Sequence, residues 1–70
     1  MIIYKQKLKK EHIMDLRKNE ELIYYKSNEI AICINNLDDR FVVRRKRISN
    51  NELIEESFFK SIEKIMEFVG

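Results

Sequence analysis

The stretch Arg40-Phe-Val-Val-Arg-Arg-Lys-Arg-Ile-Ser49 is the feature from which we predict the fold. It begins apolar, ends in four consecutive cations and precedes a segment rich in glutamate. Its β-branched and aromatic residues favour a β-strand. Because the side chains of a strand alternate between two faces, Arg45 and Arg47 project to one side. Arg44 and Lys46 project to the other side, and one of the two sides must lie outside the core. A solvent-facing row of cations is typical of a surface that meets phosphate.

Two further segments predict strands that pair with this one. Ile30, Ile32 and Ile34 alternate with smaller or polar residues, which is typical of a half-buried strand. The cluster 35–39 (Asn-Asn-Leu-Asp-Asp) favours a turn that leads back into the basic strand. Upstream, 22–25 (Leu-Ile-Tyr-Tyr) is a short β-prone run, and the four residues after it suit a tight hairpin. We therefore predict three antiparallel strands.

The segment after the basic strand predicts a long amphipathic helix. Ser49-Asn-Asn-Glu52 has the form of a capping box, and Gly70 stands where a helix ends. Between them, apolar residues recur at steps of three and four. These residues are Ile54, Phe58, Ile62, Ile65 and Val69.

Glu55 is the exception within this predicted helix, because it falls inside the apolar arc. An unpaired carboxylate is expensive to bury. We expect a cation of the neighbouring strand to pair with it, and the candidates are Arg44, Arg45 and Lys46. The alternative is that Glu55 makes a polar contact with a partner.

The first twenty residues fit a strand, a helix or both. Residues 2–8 alternate in a way that suits a fourth strand, and 8–18 have helical spacing. We predict a strand or extended lead-in followed by a short helix at 9–18. The expected fold is α+β: a small three- to four-stranded antiparallel sheet packed on a long C-terminal helix, in a single domain of residues 1–70.

Charge is distributed unevenly along the chain. Residues 1–48 hold twelve Lys/Arg against seven Asp/Glu, whereas residues 49–70 hold two against five. This asymmetry predicts one basic and one acidic surface. The abundance of Ile, Lys, Asn and Glu is typical of AT-rich coding sequences, such as those of low-GC bacteria, their phages and their plasmids, so we expect a phage- or plasmid-borne source.

Size, cysteine content and hydropathy narrow the class of protein. Seventy residues support only a marginal core, so we expect a homodimer. The single cysteine cannot form an intrachain disulfide, which suits a reducing, cytoplasmic environment. No apolar stretch approaches the roughly 20 residues of a membrane span, so we expect no membrane partner.

Residues that could carry catalysis are few. With one His and one Cys, a metal site built from those ligands cannot be assembled in one chain, and no glycine-rich phosphate loop is present. His12 and Asp15 would share a helical face, but no nucleophile accompanies them. Cys33 lies mid-strand, where a cysteine is usually a small buried hydrophobe. We expect neither an enzyme nor a cofactor.

The basic strand predicts a nucleic-acid-binding regulator, with single-stranded DNA or RNA favoured. Cations for phosphates and an aromatic for base stacking on one sheet face are typical of such proteins. The predicted contacts are Arg40, Arg44, Arg45, Lys46 and Arg47 for phosphate, and Tyr24 or Tyr25 for stacking. The alternative is a protein-interaction module, a small inhibitor or adaptor that docks through a sheet edge or its acidic helix. That helix face would carry Glu52, Glu56, Glu63 and Glu67.

Two segments resemble known families. In its Ser start and apolar spacing, 49–65 is similar to the last helix of double-stranded-RNA-binding domains, although that family's lysine pair is Asn50-Asn51 here. The step from Arg45-Lys-Arg-Ile-Ser49 into an acidic helix resembles the single-stranded-DNA-binding transcriptional coactivator family. Each similarity is confined to one segment, and we assign the protein to neither family.

Overall fold

A five-stranded mixed sheet forms the centre of the protein, as shown by a computed structural model that describes residues 2–70. Two short helices accompany the sheet. In chain order the elements are β1 (Ile2–Lys5), α1 (Lys10–Met14), β2 (Glu21–Tyr25), β3 (Ile30–Asn36), β4 (Phe41–Arg47), β5 (Glu52–Phe59) and α2 (Ile62–Val69).

The strands lie side by side in the order in which they occur in the sequence. β2 to β5 form an antiparallel meander, whereas β1 pairs with β2 in parallel. A parallel pair of adjacent strands needs a crossover connection, and the segment that contains α1 provides it.

Short polar side chains shape the β3–β4 and β4–β5 hairpin turns. Asn36 Oδ1 accepts from the Asp38 amide at 2.8 Å, and Asp38 has a positive φ of 79°. Asn50 Oδ1 accepts from the Glu52 amide at 3.0 Å, and Asn51 has a φ of 56°. Asn and Asp are the residues other than glycine that most readily adopt this left-handed conformation, which is why they occupy these turns.

The hydrophobic core lies between the helices and one face of the sheet. Its fully buried centre combines Ile32, Ile34 and Val43 of the sheet with Ile13 and Ile65 of the two helices. Burial of side chains of this size stabilises a fold by roughly 1.5–3 kcal/mol each. The core therefore fixes both helices on the same face, and no helix or strand of residues 2–70 covers the other face of the sheet.

The predicted three central strands are confirmed as β2, β3 and β4, and Cys33 is buried as expected. The predicted short N-terminal helix is present but covers only Lys10–Met14. No helix within residues 2–70 has the length and apolar character needed to cross a membrane.

The predicted long C-terminal helix is wrong. Glu52–Phe59 forms β5, and only Ile62–Val69 is helical. The reason is non-local: Glu52, Glu55 and Glu56 lie opposite Arg47, Arg45 and Arg44 when the chain turns back on the basic strand. Opposite charges facing each other across two strands stabilise the pair. The predicted capping box is consequently a hairpin turn.

The predicted sheet is also corrected in strand number and direction. It has five strands rather than three or four, and β1 makes it mixed rather than antiparallel. Both family resemblances required a helix to begin directly after Ser49, and the residues there form a turn and a strand. Neither resemblance therefore extends to the fold.

Candidate binding face

The face of the sheet that points away from α1 and α2 is called the open face here. Its side chains follow from the alternation of the five strands and from the pairing register. They form three rows across the sheet. The first row is Ile2, Glu21, Asn35, Val42 and Phe58; the second is Tyr4, Ile23, Cys33, Arg44 and Glu56; the third is Tyr25, Ala31, Lys46 and Leu53.

The open face is mostly apolar. Ala31, Cys33 and Val42 near its middle are buried by the surrounding side chains alone. Towards its two sides, Tyr4 and Phe58 each expose more than half of their surface, at 58% and 53%. An antiparallel sheet that meets water on one side normally alternates apolar and polar residues, so that the outer face is polar. This sheet does not follow that pattern.

Aromatic rings on the open face are held by defined contacts. The rings of Tyr4 and Tyr25 lie parallel, with centroids 6.1 Å apart and an angle of 6° between their planes. The guanidinium of Arg40 lies over the Phe58 ring, 4.9 Å from its centroid. Both arrangements are favourable aromatic geometries and hold large exposed surfaces in place.

A cleft of about 200 Å³ lies on the open face, lined by β2, β3, the end of β4 and the turn that follows β4. The small side chains of Ala31 and Cys33 form its floor, and Tyr25 forms one wall. Lys46 and Arg47 stand at its rim. The cleft thus combines an apolar floor with cations, although its volume is smaller than that of typical small-molecule sites.

Most of the positive charge of β4 is neutralised by β5. Arg44 Nε lies 2.6 Å from Glu56 Oε2, and Arg45 Nη1 lies 2.7 Å from Glu55 Oε1. These are short, charge-assisted hydrogen bonds. A looser pair joins Arg47 to Glu52 at 3.6 Å.

Lys46 is different from these three arginines, because it has no carboxylate within 4.0 Å in the part of the chain that the structure describes. Arginines held by carboxylates attract a phosphate far less than free ones, because the paired charges cancel beyond a short distance. The basic strand is therefore not the strip of free cations that the sequence alone indicates.

The structure separates the predicted contact residues. Arg44, Lys46 and Tyr25 lie on the open face, and Arg47 lies at its rim. Tyr24 faces the core, where it packs partly buried against the apolar cluster. Arg45 also lies on the helix face.

Arg45 is occupied by structural contacts there. Its Nη2 donates to the Phe68 carbonyl oxygen at 3.3 Å, and its guanidinium lies 5.0 Å from the centre of the Phe68 ring. Glu55, which stood out in the sequence, is the carboxylate that pairs with it. The expectation of a cation partner for Glu55 is confirmed, but on a strand instead of a helix.

Sequence reasoning missed the residues at the two sides of the open face. Ile2 and Tyr4 belong to a strand whose partner was not identified. Leu53 and Phe58 fall in the segment for which the spacing predicts a helix, and a helix has no place for them on the sheet. The strand alternation of Ile2 and Tyr4 was a usable signal, whereas the pairing of β4 with β5 was not visible in local spacing.

Burial raises the pKa of the Cys33 thiol, and the nearby carboxylate of Glu21 raises it further. Both effects disfavour the thiolate. Cys33 is therefore a protonated, apolar part of the open face at neutral pH, since only the thiolate is a strong nucleophile.

His12 is accounted for by a local hydrogen bond: its Nδ1 accepts from the Lys9 amide at 3.1 Å, at the start of α1. Within residues 2–70, no three His, Cys, Asp or Glu side chains are grouped so that they could hold a metal ion.

Both edges of the sheet carry features that oppose pairing with another strand. β1 is only four residues long. β5 contains an irregularity between the partners of Arg45 and Lys46, which leaves Ile54 without an opposite residue, and it carries three carboxylates. Short strands, bulges and charges are the usual protections of an edge.

No family model, curated protein or solved structure matches this chain.

Proposed function

We propose that the protein is a cytoplasmic protein-interaction module whose binding surface is the open face. The observation that carries this proposal is the exposure of Tyr4, Phe58 and Leu53 beside a buried apolar centre, on a sheet face that no other element of the described chain covers. Contiguous exposed apolar surface is typical of sites that bind another protein. Exposed aromatic residues also tend to contribute most of the binding energy in such sites.

The charge of the open face supports a protein partner over a nucleic acid. Arg44 and Lys46 are matched in number by Glu21 and Glu56, so the face as a whole is close to neutral. Nucleic-acid binding draws its affinity mainly from cations that replace counterions on phosphates. A neutral apolar face instead resembles the core of a protein interface, where charged residues are depleted.

The fold does not favour the two docking modes that the sequence indicates, through an acidic helix or along a sheet edge. The predicted acidic helix does not exist as such, because Glu52 and Glu56 lie on β5. Glu63 and Glu67 remain on α2, where they pair with Lys10 and Lys64. Docking along a sheet edge is opposed by the short β1 and the charged, irregular β5.

The proposal is tested by affinity capture from the source cell with matched variants. Tyr4→Lys and Phe58→Lys place a charge on the open face, and Met14→Lys places one at an equally exposed apolar position on α1. We expect the first two to lose a protein partner that the wild type and Met14→Lys retain. If all four proteins capture the same partners, the open face is not the binding surface.

A second candidate function, binding of single-stranded nucleic acid, is favoured by the cleft alone. Tyr25, Lys46 and Arg47 line this cleft, and together they could stack one base and contact about two phosphates. With about two phosphate contacts, the logarithm of affinity should fall with the logarithm of salt with a slope of only about −1.4. Anisotropy measurements with labelled single-stranded DNA, duplex DNA and RNA at two salt concentrations test this. If the wild type binds a nucleic acid with micromolar affinity and Lys46→Ala does not, the partner of the open face is a nucleic acid and not a protein.

A further inference from the structure

We infer that the partner of the open face is a second copy of this chain, packed face to face about a two-fold axis that runs parallel to β3. This inference rests on the proposed function, because it names the partner of the same surface. It is carried by the size of the face, by the arrangement of its charges and by the protection of both sheet edges.

The open face has the size that a stable dimer needs. The protein measures 30 × 22 × 20 Å, and its sheet has five strands of four to eight residues. Stable interfaces of standard size bury roughly 600–1,000 Å² on each partner, which is about the area of such a face. A small domain also gains most from this burial, because a chain of this size has a marginal core of its own.

The central position of β3 makes the face suitable for two-fold packing. β3 has two strands on each side. Rotation about an axis parallel to β3 therefore places β3 on β3, β2 on β4 and β1 on β5 of the second copy. Two sheets packed in this way lie about 10 Å apart with their strands nearly aligned. Ala31 and Cys33, the small residues of the centre, would then meet their own counterparts.

The charges on the face select this axis. Glu21 and Tyr25 lie on β2, whereas Arg44 and Lys46 lie on β4. With the axis parallel to β3, Tyr25 faces Lys46 of the second copy, and Glu21 lies diagonally opposite Arg44 of the second copy. These are cation–π and opposite-charge contacts, which stabilise an interface.

The other in-plane axis, perpendicular to the strands, would place each strand on its own copy. Arg44 would then face Arg44 of the second copy, and Glu56 would face Glu56. Like charges that face each other oppose association, although each of these is also paired within its own chain. The charges therefore favour the axis parallel to β3 over the perpendicular one.

The first part of the test is the mass in solution. Sedimentation of the wild type from about 1 to 100 μM covers the affinities expected for interfaces of this size. We expect a dimer for the wild type and for Met14→Lys, and a monomer for Phe58→Lys and for Tyr4→Glu, which would bring a second carboxylate opposite Glu56 of the second copy. A dimer that persists in both open-face variants, or a wild-type monomer throughout this range, would overturn the inference.

The second part locates the axis by cross-linking in a Cys33→Ala background. Tyr4→Cys and Glu56→Cys chains are mixed and treated with a thiol-reactive cross-linker that spans about 10 Å, the distance between packed sheets. The proposed axis places Tyr4 opposite Glu56 of the second copy, so only the mixture should give a cross-linked dimer. Cross-linking of Tyr4→Cys alone would establish the perpendicular axis instead and overturn the inference.

Failure of this inference is distinguishable from failure of the proposed function. A wild-type monomer that captures a cellular protein, and loses it on Phe58→Lys, keeps the open face as a binding surface for a different partner. A wild-type monomer that captures no protein through this face overturns both. Circular dichroism of each variant establishes that the chain is folded, so that loss of the dimer can be assigned to the open face.

Discussion

Arg45 joins β4, β5 and α2 through one side chain, because it pairs with Glu55 of β5 and also reaches Phe68 of α2. Arg45 Nη1 donates to Glu55 Oε1 at 2.7 Å, while Nη2 donates to the carbonyl oxygen of Phe68 in α2. The Arg45 side chain is about a quarter exposed, so solvent screens these contacts only partly. Arg45 is thus a structural residue and not a free cation for a ligand.

Arg45→Ala should lower the free energy of unfolding by about 1–2 kcal/mol, because it removes an ion pair, a hydrogen bond and a cation–π contact together. Arg47→Ala is the matched control, because its pair with Glu52 is longer, at 3.6 Å, and about half exposed. Loss of such a surface pair should cost less than about 0.5 kcal/mol. Urea denaturation of the two variants measures the difference, and equal effects would contradict the role assigned to Arg45.

Asn51 tests whether the chain turns back after β4 or begins a helix there. Its φ of 56° lies in the left-handed region, which glycine enters freely and β-branched residues avoid. Asn51→Gly should leave stability unchanged or raise it slightly, and Asn51→Val should lower it by about 1–2 kcal/mol. Thermal denaturation followed by circular dichroism provides the measurement. In a helical first turn the order would reverse, since glycine is the poorer helix former.

The same turn explains why part of the fold could be predicted from the sequence and part could not. Strands β2, β3 and β4 have strict local signals, such as the alternation of Ile30, Ile32 and Ile34. The alternation also correctly places Ala31 and Cys33 on the face opposite these isoleucines. For 52–59, however, steps of four and strand alternation fit the same residues. What decides between them is the pairing of its carboxylates with the arginines of β4, a contact between strands that local periodicity does not reveal.

The candidate site was predictable only where it depends on such local alternation. Tyr25 and Lys46 share a face because each lies on a strand that the sequence identifies. Tyr4 and Phe58 become its exposed sides only through the parallel pairing of β1 and the pairing of β5. The sequence also shows the four cations without their partners, so it overstates the free positive charge of the strand.

Glu63 couples the two helices in a pH-dependent way. The Lys10 ammonium, 2.6 Å from Glu63 Oε1, lowers the pKa of this carboxyl from 4.5 to about 2, helped by a backbone amide and the Ser61 hydroxyl. A carboxyl whose pKa is lowered by folding stabilises the folded state fully above its ordinary value. That contribution should be lost as pH falls from 4.5 to about 2.

An NMR titration of the Glu63 side-chain carboxyl measures this directly. In Lys10→Gln the midpoint should rise towards the ordinary value, because the first and largest cause of the shift is gone. Lys18→Gln removes a lysine that pairs with Asp38 instead and should leave the midpoint of Glu63 unchanged. A Glu63 midpoint near 4.5 in the wild type would show that Lys10 does not hold this carboxylate in solution.

Cys33 reports on the open face without any change to the face itself. Because burial and Glu21 raise its pKa, the thiol should react slowly with a thiol-specific reagent at neutral pH. Covering of the face by a second copy would slow the reaction further, so the rate should fall as protein concentration rises. Met14→Cys in a Cys33→Ala background supplies an exposed thiol on α1 as the control, and its rate should not depend on protein concentration. In denaturant the thiols of Cys33 and of Met14→Cys should react with the reagent at the same rate. A fast, concentration-independent reaction of Cys33 in the folded protein would mean that the centre of the face is open to solvent, contrary both to its burial and to the dimer.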